Sequence, residues 1–131
     1  MLDFLIALVP YSSPGVDNTN DAKAHYGFLT AFNSVASDVV ETVSSELQAH
    51  PDYELISTGH SLGGALASLG GISLAANFPG TPLRVFTFGQ PRTGDSAYAD
   101  LAEQLIGVNN IFRAVHTSGS FLSLKCHNLF I

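Results

Sequence analysis

The sequence is short of charge and of the residues that crosslink chains or bind metal. Its 131 residues include one cysteine, Cys126, no tryptophan and five Lys or Arg, and 12% of positions are charged. One cysteine permits neither an internal disulfide nor a cysteine-based zinc site, and it leaves the redox compartment open. The cations Lys23, Arg84, Arg92, Arg113 and Lys125 are scattered, so no basic stripe exists to neutralise phosphates and nucleic acid is excluded as a partner. With 46% hydrophobic residues, the chain buries much of itself, which excludes disorder and fibrous architectures. This length accommodates one domain and not two.

Long hydrophobic runs are also missing. Phe4 to Val9 is too short for a signal-peptide core and follows Asp3 where a signal would carry Lys or Arg, so no export signal is visible and localisation stays open. Leu55 to Leu83 lacks formal charge, but His60, Asn77, Pro79, Pro82 and two Gly-Gly pairs interrupt it, and no transmembrane segment is expected. The net charge of −6 is concentrated early: residues 1 to 54 hold eight acids against Lys23 alone.

The apolar pattern supplies the elements. Residues 4 to 9 read as a buried strand ending at Pro10, and residues 17 to 24 as a polar loop. Phe28, Phe32, Val35, Val39, Val43 and Leu47 recur at helical spacing, which predicts one amphipathic helix of about six turns stopped by His50-Pro51. A strand over 55 to 58, a helix from Leu62 to Asn77 that is small or apolar all round, a strand over 84 to 88, a helix over 95 to 106 and a strand over 111 to 115 follow. The order βαβαβαβ implies an α/β domain whose parallel sheet is covered on both faces. After Thr117 the pattern is lost, so residues 1–117 are expected to form the domain and 118–131 a tail foreign to it.

Gly59-His60-Ser61-Leu62-Gly63 carries the chemistry. It fits the G-x-S-x-G pattern, and a strand leads in while a helix leads out, as a nucleophile elbow requires. A serine at so sharp a turn takes a strained backbone, and the residues two before and two after it approach closely, which calls for glycine at both places. The Leu62 N–H would then point at a developing oxyanion from a helix N-terminus. The competing reading is a glycine-rich turn whose serine caps the helix.

A serine nucleophile needs a base and an orienting acid. Asp95, Asp100 and Glu103 lie downstream, as do His116 and His127, and an Asp95–His116 relay satisfies the order acid, then histidine. Against it, Asp95 opens a helix, where an acid serves the macrodipole, and Asp100 and Glu103 fit its solvated face. His60 is expected to pack beside the sheet, His25 precedes the first helix and His50 ends it. No histidine pairs at ligand spacing with another donor, so no metal site is expected.

Four blocks in order resemble the fungal-type class 3 lipase family of triacylglycerol lipases and related feruloyl esterases. They are His25-Tyr26-Gly27-Phe28, the elbow block Thr58 to Ala67, Thr87-Phe88-Gly89-Gln90-Pro91-Arg92-Thr93-Gly94, and Arg113-Ala114-Val115-His116. The resemblance implies a partial α/β-hydrolase fold, a serine acyl-enzyme, lipid or other ester substrates met at a lipid–water interface, and no cofactor. It assigns Ser61 as nucleophile, Leu62 as oxyanion donor, and Gly59, His60 and Gly63 to the elbow. It also places the catalytic aspartate three residues after the histidine of the last block, where this chain has Gly119, and the catalytic histidine beyond the end of the chain. Two expectations follow: an ester hydrolase of lipid metabolism, or an inactive truncated form that at most binds a lipid or a partner.

Overall fold

Alternation of apolar and polar side chains, punctuated by glycine and proline, is strongest between residues 55 and 114, and the sheet forms there. The computed structural model describes residues 7–115. Strands β3 (Leu55–His60), β4 (Leu83–Phe88) and β5 (Ile111–Ala114) pair in parallel in the order β3-β4-β5. Helix α3 (Leu62–Asn77) joins the first two and α4 (Ser96–Ile106) the last two, the latter followed by a short 3-10 turn, Val108–Asn110. Upstream, β1 (Leu8–Pro10) and β2 (Lys23–His25) precede α1 (Tyr26–Asn33) and α2 (Ala36–Ala49).

Three expectations are corrected. The described part of the first strand does not join the parallel sheet: Leu8–Pro10 runs antiparallel to Lys23–His25, with Val9 opposite Ala24. The partner strand falls in the supposed polar loop because its inward residue Ala24, and Ala22 just before it, are small and flanked by Asp21 and Lys23, so their burial leaves little hydropathic signal. The long helix is broken at Ser34-Val35. The Ser34 hydroxyl donates to the Ala31 carbonyl at 2.7 Å, competing with the backbone ladder, and Ala36 takes the buried place expected for Val35, which is 48% exposed.

The third correction concerns the layers. Strands in the order β3-β4-β5 advance in one direction, so right-handed crossovers put α3 and α4 on the same face. Gly71 of α3 meets the Val85 and Ile106 side chains, the Ser68 hydroxyl bonds the Tyr98 hydroxyl at 2.8 Å, and Phe32 of α1 packs at Gly70. Leu69, Ile72, Val85, Tyr98 and Leu101 form the centre of this core. Among the described residues the other face is open. It carries Ile56, Thr58 and His60 of β3, Phe86 and Phe88 of β4, and Phe112 of β5, with Phe86 and Phe112 stacked at 4.7 Å. The tail 118–131 lies outside the described residues.

Candidate active site

The site grows from the junction of β3 and α3. β3 ends at His60, α3 begins at Leu62, and Ser61 alone makes the turn, with φ 54° and ψ −122°. A positive φ in a serine costs about 1–3 kcal/mol and persists only where its surroundings impose it. They do so here. The Ser61 N–H donates to the Phe88 carbonyl at 2.9 Å, tying the turn to the end of β4, and the Gly89 N–H donates to the Ala114 carbonyl at 2.8 Å, tying β4 to β5. Its side chain caps nothing: no side-chain cap bond forms at this helix start, and Ser61 is exposed at the carboxyl ends of the strands. The simple capping role is thereby set aside.

The two elbow glycines differ. A Cβ on Gly59 would overlap the Gly63 carbonyl and lie 2.8 Å from the Gly64 nitrogen, so glycine is required there. A Cβ on Gly63 would reach nothing within 4 Å among the described residues. The expectation that both positions exclude a side chain is corrected: it is the backbone of residue 63, not its side-chain direction, that crowds residue 59. Leu62 is the first helical residue, so its N–H has no acceptor within the helix. The Gly64 and Ala65 N–H groups turn back onto the Ser61 carbonyl at 2.9 and 3.3 Å.

The remaining candidates occupy other places. His60 is exposed on the open face, its Nε2 3.7 Å from where a Cβ on Gly89 would stand. Asp95 caps α4: its Oδ1 accepts from the Tyr98 N–H at 2.9 Å and the Lys23 N–H at 3.1 Å, a structural use that fits the expected helix-opening role. Asp100 is exposed on α4 and Glu103 half-buried. His25 stacks on Phe28 at 4.0 Å, and loss of hydration holds its imidazole below the usual pKa. His50 caps the end of α2 and stacks on Tyr53 at 4.3 Å. His116 and His127 lie outside the described residues. Among the described residues no three His, Cys, Asp or Glu side chains converge to hold a metal ion, and no helix is long and apolar enough to cross a membrane.

A buried polar chain beneath the elbow had no role assigned from sequence. The Thr87 hydroxyl donates to Gln90 Oε1 and Gln90 Nε2 donates to the Thr93 hydroxyl, both at 2.7 Å, and Thr93 donates on to the Pro91 carbonyl at 3.1 Å. Arg113 donates to the Gln90 carbonyl at 2.9 Å. The available signal was the spacing of Thr87, Gln90 and Thr93, three residues apart around Gly89 and Pro91.

Known proteins resemble this chain in sequence and fold. A lipase of Rhizopus niveus is 44% identical over 85 residues, covering 63% of this chain and 22% of that protein. A lipase of Rhizomucor miehei is 40% identical over 98 residues, covering 72% of this chain and 26% of its own length. The crystal structure of a triacylglycerol lipase from Penicillium expansum superposes with a TM-score of 0.77 at 32% identity, covering 82% of this chain and 42% of that one. The chain thus spans about a quarter of the length of these curated relatives. A model of the class 3 lipases matches residues 1–118, and the chain, with its partial α/β-hydrolase fold, belongs to the class 3 lipase family.

Proposed function

We propose that Ser61 is the nucleophile of an ester hydrolase acting on acylglycerols or related lipid esters, with the Leu62 N–H as one oxyanion donor. The observation that carries this reading is the positive φ of an exposed serine at a strand-to-helix turn, a strain that a capping or surface serine would not need. In the reaction Ser61 Oγ bonds to the ester carbonyl carbon while its proton passes to a base. The carbonyl oxygen becomes an oxyanion beside the Leu62 N–H, and collapse of the intermediate expels the alcohol, which takes up that proton, and leaves the acyl group on Ser61. Water then repeats the sequence and releases the acid. The acylglycerol class rests on the family and on the triacylglycerol lipase named above.

A second reading is a chain that holds the nucleophile without activating it. It is favoured by the commitment of Asp95 Oδ1 to two backbone amides and by Gly119 at the position where the family resemblance puts the acid. Two measurements separate them. Hydrolysis of a short-chain p-nitrophenyl ester by the chain is compared with its Ser61→Ala variant, and residues 7–115 are grafted in place of the matching segment of the Rhizopus niveus lipase. The expected result is background activity in the chain and Ser61-dependent hydrolysis and fluorophosphonate labelling in the graft. A folded graft that the probe does not label removes Ser61 as nucleophile. Activity in the chain above Ser61→Ala removes the second reading and turns attention to His116 and His127.

A further inference from the structure

The first turn of α3 rests on Gln90 and on the carbonyl of Gly59. Gln90 is 4% exposed, and its amide is held from both sides by Thr87 and Thr93, themselves buried. A Cβ on Gly64 would lie 3.2 Å from both the Gln90 Cβ and the Gly59 carbonyl oxygen and 3.4 Å from the Gln90 Cα, so the first turn of α3 sits against this residue on one side and the end of β3 on the other. From the other side Arg113 of β5 fixes the Gln90 carbonyl. The Thr87 end of the clamp is in β4, next to Phe88, whose carbonyl accepts the Ser61 N–H.

We propose that Gln90 is a positioning residue: clamped by the Thr87 and Thr93 hydroxyls, it is the seat that sets how far the first turn of α3, and with it Ser61 and the Leu62 N–H, stands out from the sheet. The inference rests on Ser61 as nucleophile for its catalytic meaning, but the seat itself is testable without turnover. An amide bonded at both Oε1 and Nε2 to buried hydroxyls is held at both ends, so the Gln90 side chain keeps one conformation. A side chain of equal length without those bonds fills the volume but no longer anchors the Cα and Cβ beneath Gly64 from its far end, so the stop under α3 is free to shift. Placement errors of about 1 Å at a reacting group cost on the order of a hundredfold in rate, which is why such a stop matters beneath a nucleophile.

The test is residue-resolved amide hydrogen exchange on the full chain. In Gln90→Met, exchange at Gly64 and Ala65, whose amides bond the Ser61 carbonyl, is expected to rise about tenfold beyond any change at Leu69 to Ser73 in the same helix. In the triple variant Thr87→Val, Gln90→Met, Thr93→Val the unpaired hydroxyls are gone and the unfolding midpoint returns toward wild type, yet exchange at Gly64 and Ala65 stays fast. A rise spread evenly along α3, or elbow exchange that recovers with the midpoint in the triple variant, assigns Gln90 to general stability and overturns the proposal. If Gln90→Met does not fold, Thr93→Val, which removes one clamp bond, is expected to show the same local pattern, and its absence overturns the proposal equally. An intact exchange pattern beside an unlabelled Ser61 in the graft keeps the seat and discards the nucleophile.

Discussion

Gly59 and Gly63 close the elbow unequally: the carbonyl of Gly63 occupies the space a side chain on Gly59 would need, while a side chain on Gly63 would project into open space among the described residues. Gly59→Ala is therefore expected to destabilise the fold by more than about 2 kcal/mol, since backbone must move to admit one carbon. Gly63→Ala is expected to be neutral or to add up to about 1 kcal/mol from helix propensity. Urea unfolding of the two variants checks this, and equal losses would show that both glycines are sterically required.

Tyr11 is buried against Tyr98, ring edge to face at 5.8 Å, and its hydroxyl lies beside the Ser13 hydroxyl without a well-formed hydrogen bond. Tyr11→Phe should thus be neutral or raise stability near neutral pH by up to about 1 kcal/mol, since it removes a poorly bonded buried hydroxyl but leaves that of Ser13. Burial pushes the phenol from 10.0 up to about 12. The folded state keeps its proton where the unfolded chain has lost one, so stability falls as pH rises from about 10 to 12, by up to about 2–3 kcal/mol. Unfolding of wild type and variant across that range should show the steeper decline in wild type only.

Asp95 holds two amides through one oxygen, the Tyr98 N–H at the start of α4 and the Lys23 N–H of β2. Asp95→Ala is expected to cost about 1–3 kcal/mol, the cap plus the tie between the hairpin and α4. Asp95→Asn retains an acceptor and should cost well under half as much. Thermal unfolding distinguishes them, and a large loss in Asp95→Asn would point to the charge rather than the acceptor.

Ile56, Phe88 and Phe112 are 58%, 49% and 37% exposed on one sheet face. A surface of this kind should bind anilinonaphthalene sulfonate and promote association of the isolated chain. Ile56→Lys with Phe88→Glu, both exposed on the face away from the helices, is expected to lower dye fluorescence several-fold without lowering the unfolding midpoint. A wild-type chain that binds no dye and sediments as a single monomer would show that the face is covered.

Legibility followed local chemistry. β3, α3, β4, α4 and β5 were readable to within a residue or two because Pro51, Pro79-Gly80 and Gly107 separate segments of clear period. The elbow was readable because the chain itself spells its backbone requirement. Strand order was not. Alternation of β and α is the same whether strands advance in one direction or reverse, and only a reversal puts helices on both faces. The β2 strand hid behind alanines, and the break at Ser34 behind a hydroxyl whose effect depends on which carbonyl it meets. The asymmetry of Gly59 and Gly63 and the seat at Gln90 depend on directions in space that spacing along the chain does not encode.

The sequential sheet also bears on how the molecule assembles. Both strand pairings of this sheet join strands consecutive along the chain, so the scaffold of Ser61 is made from two consecutive crossover units with short loop closures. Nothing in that order waits for the hairpin of Leu8–Pro10 and Lys23–His25. The elbow is therefore expected to be an early folding unit onto which the N-terminal third docks afterwards, with the strained serine set in place by its nearest neighbours in time as well as in space.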